Sequence, residues 1–315
     1  MNTLEKATSD NSEDWPIFSY TQLQSWDRCE YSWYLGYDQE WTKKDKKTSA
    51  NIGTLAHKYL ELYYRMILEG TIDRLVLWDA VETSIAADIN AAIESSNTNT
   101  LAEIHRAAII VKRYIFEFAP DKDIGMKVLG VEHHFIIPYK TPTLGYNFYL
   151  QGYVDLLYSK GGKIRVVDHK TTANAGFWKP GEIMMDPQMT LYVAALRRTG
   201  MKIFEIEYNF LNSYDYKDMS KVTTEKLFKR EPSYRTDVEV QNFEYQLLLE
   251  IEKLIKAAGD EEYRYHRSLR RDCDNCMFKE PCLHGLKGIN PQAILVTKFI
   301  KKEKMPIGIR PRSIA

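Results

Sequence analysis

Apolar positions recur along this chain with two different periods, and each period predicts its own kind of element. Over residues 52–68 and 72–93 they return at helical spacing, and a further helix is predicted over 101–118. The stretches 127–138, 148–158, 164–170 and 204–212 are short, rich in β-branched and aromatic residues, and partly alternating, so they read as strands. Between the third and fourth strands a helix start is marked locally. Asp186 is its cap, Pro187 takes the first position, where a missing N–H costs nothing, and the run continues to Arg198 before Gly200 stops it. A last amphipathic helix is predicted over 238–258. Helices, three strands, a helix, a fourth strand and more helix add up to an α/β fold with one mixed sheet.

The ends of the chain have a different texture. Residues 18–41 are dense in aromatics (Tyr20, Trp26, Tyr31, Trp33, Tyr34, Tyr37, Trp41), with Ser19 and Thr21 offering caps for a short helix that carries Cys29. A lysine-rich loop, 43–47, follows. The first 15 residues are polar and acidic, with no apolar run behind a basic start, so neither a signal peptide nor a membrane anchor is expected and the protein reads as cytoplasmic. With 315 residues, 44% of them hydrophobic, the chain can bury a full core. The expected organisation is a loose start at 1–17, one domain over 18–285 and a basic tail over 286–315. Within the domain, a helical part covers 18–120, a strand-rich core 127–212, and the last helix with the cysteine cluster 238–285.

Charge excludes little, because Lys+Arg and Asp+Glu are both 43 and give no global pull toward a polyanion. Locally, Arg264, Arg267, Arg270 and Arg271 precede the cysteine cluster, and Lys298, Lys301, Lys302, Lys304, Arg310 and Arg312 populate the tail. The ordinary reading of such runs is a solvated face. The cysteines are more pointed: Cys273, Cys276 and Cys282 form a C-x2-C-x5-C run, and only Cys29 is left to supply a fourth thiol. In a reducing compartment four such thiols bind metal more often than they form disulfides, against the alternative of four inert buried residues. Zinc ribbons usually carry two C-x2-C pairs, so one pair with two separated thiols leans toward iron, with zinc left open.

The sharpest local inference concerns two carboxylates. Gly161-Gly162 between two apolar runs predicts a two-residue hairpin, because primed turns need positive φ at both central positions. Lys160 then faces Lys163, and stepping back along both strands brings Asp155 opposite Asp168. Side chains alternate across a strand, so Lys170 shares the face of Asp168 while His169 points to the other and is expected to be packed. Two carboxylates opposed among apolar neighbours repel and are costly to desolvate. A hard divalent cation between them is the natural answer, with Lys170 near enough to stabilise an attacking hydroxide or a phosphate; the simpler alternative is a protonated acid or an Asp–Lys ion pair. On helices, His57 and Glu61 lie one turn apart, and Gln188 and Tyr192 are four apart near a helix start, where amides favour phosphate.

Taken in order, the helical Gly53-x-x-x-His57, the Gly152-Tyr153-Val154-Asp155 run, the Asp168-His169-Lys170-Thr171 run and Gln188-x-x-x-Tyr192 resemble the motifs of RecB-type nucleases of the PD-(D/E)xK superfamily. The cysteine layout is similar to their iron-sulfur branch, which includes the AddB nuclease domain and the CRISPR-adaptation nucleases. The resemblance runs from about Tyr20 to Cys282; Val154 stands where the family name has proline, a position that varies widely. It implies a restriction-endonuclease-like core with a central mixed sheet flanked by helices, and an iron-sulfur clasp joining the N- and C-terminal segments. It also implies a DNA exonuclease dependent on Mg2+ or Mn2+ and preferring single strands. His57, Asp155, Asp168 and the backbone carbonyl of His169 would bind the catalytic metal, and Lys170 would position the nucleophilic water. Gln188 and Tyr192 would help place the DNA and brace the site, while Cys29, Cys273, Cys276 and Cys282 would hold a 4Fe-4S cluster. The aromatic start and the basic patches would then serve to stack bases and track phosphates of a single strand. The alternative is a non-catalytic or weakly catalytic DNA-binding subunit of a recombination or CRISPR-adaptation complex, with recombination proteins or further copies of the chain as partners and no membrane. No Walker-type run is present, so no helicase motor is expected within these residues.

Overall fold

The computed structural model describes residues 3–44, 52–172, 177, 179–269 and 271–302, with Phe204, Arg271 and Asp272 described through their backbone alone. Arg270, Lys304, Arg310, Arg312 and most of the lysine-rich loop lie outside the described residues. Its strands are β1 (Ile17–Ser19), β2 (Trp41–Lys43), β3 (Lys127–Lys140), β4 (Asn147–Lys160), β5 (Lys163–Thr172), β6 (Ile203–Asn212), β7 (Phe228–Ser233) and β8 (Phe299–Lys301). Five run in the order β1-β4-β5-β6-β7, with β3 also paired to β4, and β2 and β8 form a separate ladder. The chain divides into two compact units, one made of Met1–Thr48, Ile136–Gly152 and Glu244–Ser313, the other of Ser49–Phe135, Tyr153–Phe243 and Ile314–Ala315.

In the second unit β4 and β5 are antiparallel, β5 and β6 parallel, and β6 and β7 antiparallel, which is the mixed sheet expected of an α/β chain. The parallel step needs a crossover, and the helix Pro187–Arg198 lies in that connection. Because β5 has a neighbour on each edge and is covered on both faces, four consecutive residues, Val166, Val167, Asp168 and His169, are buried. The helices Ile52–Leu68, Arg74–Glu94 and Thr98–Arg113 bring Leu60, Val81, Ile104 and Ile110 into one cluster with Leu156 and Val167 of the sheet. Each such side chain contributes about 1.5–3 kcal/mol through its burial. The predicted elements are present, with ends moved by a few residues. The helix expected over 101–118 runs as Thr98–Arg113 followed by a π-type turn, Tyr114–Phe118.

The first unit departs further from expectation. Residues 3–7, expected to be loose, form a short helix whose Ala7 is fully buried, and a methyl group on Gly259 would overlap Leu4. Of the stretch read as a tail, Gln292–Lys298 is helical and β8 pairs with β2. Ser19 caps the helix Tyr20–Arg28 through a reciprocal box with Gln22. Cys29 is not carried on that helix. It sits in extended conformation, φ −167°, between Tyr20–Arg28 and Glu30–Trp33, because the chain breaks there before a second helical turn begins. Trp26, Trp33 and Trp41 are buried, Tyr34 stacks on Tyr265 at 4.3 Å, and Arg267 lies 3.9 Å over Tyr31. The three tryptophans of the aromatic start therefore build this unit's interior instead of offering rings to bases, while Tyr20, Tyr31, Tyr34 and Tyr37 are half-buried. Lys298 is bound to Glu280 at 2.7 Å and Lys301 lies 4.6 Å over the Trp41 ring, so part of the basic surface is also engaged internally.

Candidate active site

Apart from Gly152, the nuclease-motif residues fall in the second unit. The turn between β4 and β5 has φ of 61° at Gly161 and 74° at Gly162, the doubly positive geometry that a primed hairpin requires. Pairing runs in the expected register from Lys160↔Lys163 to Leu156↔Val167, which leaves Asp155 and Asp168 at the next step along each strand. Both are buried, at 8% and 3% exposure. Asp155 Oδ2 accepts a 2.8 Å hydrogen bond from the main-chain N–H of His169. From the helix Ile52–Leu68, His57 brings Nδ1 to 3.7 Å from the same oxygen. Glu61, one turn further on, turns to Arg65 at 2.6 Å.

Lys170 closes the other side. Its Nζ lies 2.8 Å from Asp168 Oδ2 and donates at 2.8 Å to Gln188 Oε1, and Gln188 Nε2 donates at 2.7 Å to the Tyr192 hydroxyl. Gln188 is placed by the helix start: Asp186 Oδ1 accepts from its N–H at 2.9 Å, and Pro187 sets the first turn. Burial lifts the Asp168 carboxyl to about 6, Lys170 beside it works against that rise, and the Asp155 charge adds to it. Burial opposes the Lys170 ammonium, but the charge and hydrogen bond of Asp168 together with the charges of Asp186 and Asp155 outweigh it and hold the group above its ordinary value.

Sequence reasoning missed several residues that complete the arrangement. His169 is buried, as expected, with Asn209 Nδ2 donating to its Nδ1 at 2.8 Å and the Tyr64 ring stacked on it at 5.8 Å. Arg230 of β7 donates to the Tyr64 hydroxyl at 2.6 Å and pairs with Asp123 at 2.7 Å. The seven-residue step from His57 to Tyr64, two turns on one helix face, was the available signal for Tyr64. Asn209 had none, since its place follows from the pairing of β5 with β6.

The oxygen donors suit a hard divalent ion. Two buried carboxylates share a site in which the charge of Asp155 disfavours that of Asp168, and a cation would relieve that conflict. Among the described residues no three His, Cys, Asp or Glu side chains converge as a ready chelate. Magnesium does not require one, because it commonly takes one or two carboxylates and fills its octahedron with water and substrate phosphate. The cysteines are all in the first unit. Burial raises the Cys282 thiol, Arg267 lowers it, and Cys29 and Cys276 push it up in turn, so three of the sulfurs lie within electrostatic reach of one another. They do not form a ligating group among the described residues, and no iron-sulfur clasp is shown.

Solved structures that the chain matches include a Eubacterium rectale protein named as a candidate exonuclease, at 15% identity over 82% of this chain and 87% of that one, with a TM-score of 0.49. SSO0001 is another, at 12% identity over 71% and 92%, with a TM-score of 0.32. No curated protein matches the sequence. Residues 17–283 match the family model of the PD-(D/E)XK nuclease superfamily, a span that contains the carboxylates, the lysine and all four cysteines, and the chain belongs to that superfamily.

Proposed function

We propose that this protein is a divalent-metal-dependent DNA exonuclease that hydrolyses phosphodiester bonds, preferring single strands. The observation that carries the reading is the ammonium of Lys170 held between Asp168 and Gln188, beside two buried carboxylates from adjacent strands. A magnesium or manganese ion held by Asp155, Asp168, the His169 carbonyl and His57 would supply Lewis acidity toward the phosphate and a water acidified toward hydroxide. Lys170 orients that water and stabilises the negative charge that grows on the phosphoryl oxygens at the transition state. It does so from a site shielded from water, where a fixed charge acts strongly. Gln188 and Tyr192 hold Lys170 in place, and the 3% exposure of Asp168 limits competing solvation. The single-strand preference rests on the resemblance to RecB-type nucleases alone, since Trp26, Trp33 and Trp41 of the aromatics named for base stacking are buried in the first unit.

The four cysteines are proposed as ligands of a structural 4Fe-4S cluster, supported by their gathering in one unit and by the mutual influence of Cys29, Cys276 and Cys282. Protein purified without oxygen should be brown and should lose its iron in Cys276→Ala. A colourless protein with stoichiometric zinc would replace that reading.

Activity is tested with linear and circular single-stranded DNA, labelled at either end and incubated with Mg2+ or Mn2+. Degradation of the linear strand that is lost in Asp168→Ala is the expected result. An Asp168→Ala protein that still degrades DNA sinks the assignment, and DNA binding without turnover in the wild type would make this chain a binding subunit.

A further inference from the structure

His169 lies inside the second carboxylate motif, between Asp168 and Lys170, and its side chain takes no part in the chemistry proposed above, yet it is held from three sides. Its ring is covered on one face by Tyr64, with centroids 5.8 Å apart and planes 13° from parallel. His57 meets it edge-on at 5.8 Å. On the third side Asn209, its register partner on β6, donates from Nδ2 to Nδ1 at 2.8 Å. Asn209 is fully buried. Tyr64 is itself pinned: its hydroxyl meets Tyr114 at 2.7 Å, and Arg230 donates to both hydroxyls, at 2.6 and 2.7 Å, while also pairing with Asp123.

The consequence lies in the main chain. The N–H of His169 holds Asp155 Oδ2 at 2.8 Å, and the same residue separates Asp168 from Lys170. Fixing the ring from face and edge therefore fixes the peptide that orients one carboxylate and spaces the other from its lysine. From this we infer that Tyr64, through its ring, and Asn209 are positioning residues of the nuclease site, acting through His169. The inference rests on the functional reading above only for its catalytic consequence. The clamp itself is a statement about the metal-free protein. Supports of this kind behind a metal site typically carry about 10–100-fold in metal affinity or activity.

Three variants separate the parts. Tyr64→Leu removes the stacked ring, Tyr64→Phe keeps the ring and removes only the hydroxyl, and Asn209→Leu removes the edge contact at similar volume. Each is read by amide exchange at His169 in metal-free protein, by Mn2+ affinity from electron paramagnetic resonance, and by kcat and KM on a labelled oligonucleotide. Tyr64→Leu and Asn209→Leu should exchange the His169 amide at least about tenfold faster, bind Mn2+ about tenfold more weakly, and lose kcat with KM for DNA unchanged. Tyr64→Phe should stay within about threefold of wild type in all three. A merely structural role would lower the melting temperature and leave exchange at His169 and Mn2+ affinity as they were, and that result overturns the inference. Should Tyr64→Leu fail to fold, Asn209→Leu against Tyr64→Phe decides on the same readouts. A wild type that neither binds Mn2+ nor cuts DNA refutes the nuclease reading, while the exchange measurement still decides the clamp.

Discussion

Gln188 offers a sharp test of how the site divides labour between holding DNA and holding its own lysine. The resemblance allows both roles, but the structure engages its amide internally: Oε1 receives Lys170 at 2.8 Å and Nε2 donates to Tyr192 at 2.7 Å. In Gln188→Leu the ammonium loses the amide oxygen and keeps Asp168, also at 2.8 Å. A hydrogen bond to a charged group contributes about 1.5–3 kcal/mol, and about 1.4 kcal/mol is tenfold in rate. Since Asp168 still restrains Lys170, the lower part of that range applies, and kcat should fall about 10- to 30-fold. KM for DNA should stay unchanged, because an interaction that matters only at the transition state lowers kcat and kcat/KM together. Steady-state cleavage of an end-labelled oligonucleotide at saturating Mn2+ separates the two constants. A raised KM at unchanged kcat would show that Gln188 grips DNA uniformly and that its bond to Lys170 has no catalytic weight.

Three further outcomes follow from the same geometry. A ligand that binds only the folded state stabilises it by about 2.7 kcal/mol at one hundred times its dissociation constant, so Mn2+ should raise the melting temperature of the wild type and leave Asp168→Asn nearly unmoved; equal shifts would place the ion elsewhere. Arg230 and Asp123 are 6% and 12% exposed, and breaking a buried pair costs about 3–5 kcal/mol, so Arg230→Met should be destabilised by that amount in a urea melt. Much of that loss should return in Arg230→Met/Asp123→Leu, and strictly additive losses would refute the pairing. Gly162 has φ of 74°, and a methyl group added there would meet open space, so Gly162→Ala carries only the left-handed backbone penalty, about 1–2 kcal/mol, and should keep full activity per folded molecule.

What was legible in the sequence was whatever local chemistry decides. Two adjacent glycines force a primed turn, the turn dictates the register, and the register brings Asp155 beside Asp168. Asp186, Pro187 and Gly200 bracket their helix for equally local reasons. β7 was not legible, because Phe228-Lys229-Arg230-Glu231-Pro232-Ser233 has the composition of a loop. It is a strand because β6 offers it a partner, and as the end strand of the order it tolerates both the charges and the proline. Asn209 was invisible for a related reason: its meeting with His169 exists only through the parallel pairing of β5 and β6, whose register no turn dictates. The cysteine spacing predicted a shared neighbourhood for the thiols, which the first unit provides, and a ligating geometry, which the described residues do not show.

A second set of acids lies on β6, facing β5, and the contrast argues for where a cation belongs. Arg165 of β5 lies 2.9 Å from Glu205 and 3.8 Å from Glu207 on β6, so here too two carboxylates face one basic side chain. Charge counting alone would not tell this cluster from Asp155, Asp168 and Lys170. Hydrogen-bond donors do. The Tyr158 hydroxyl donates to Glu207 at 2.7 Å and the Tyr234 hydroxyl to Glu205 at 2.7 Å. Burial lifts Glu207, while burial of Glu205 is outweighed by Tyr234 and Arg165, which leave it below the usual carboxylate range. One acid is thus biased toward its neutral form and the other toward its charged form, and a single arginine suffices. Asp155 and Asp168 are held differently, by a main-chain N–H and by one ammonium that is shared with Gln188. A buried acid pair with phenolic donors settles its charge within the fold, and this contrast in donors supports placing the proposed divalent ion at the Asp168 end of β5.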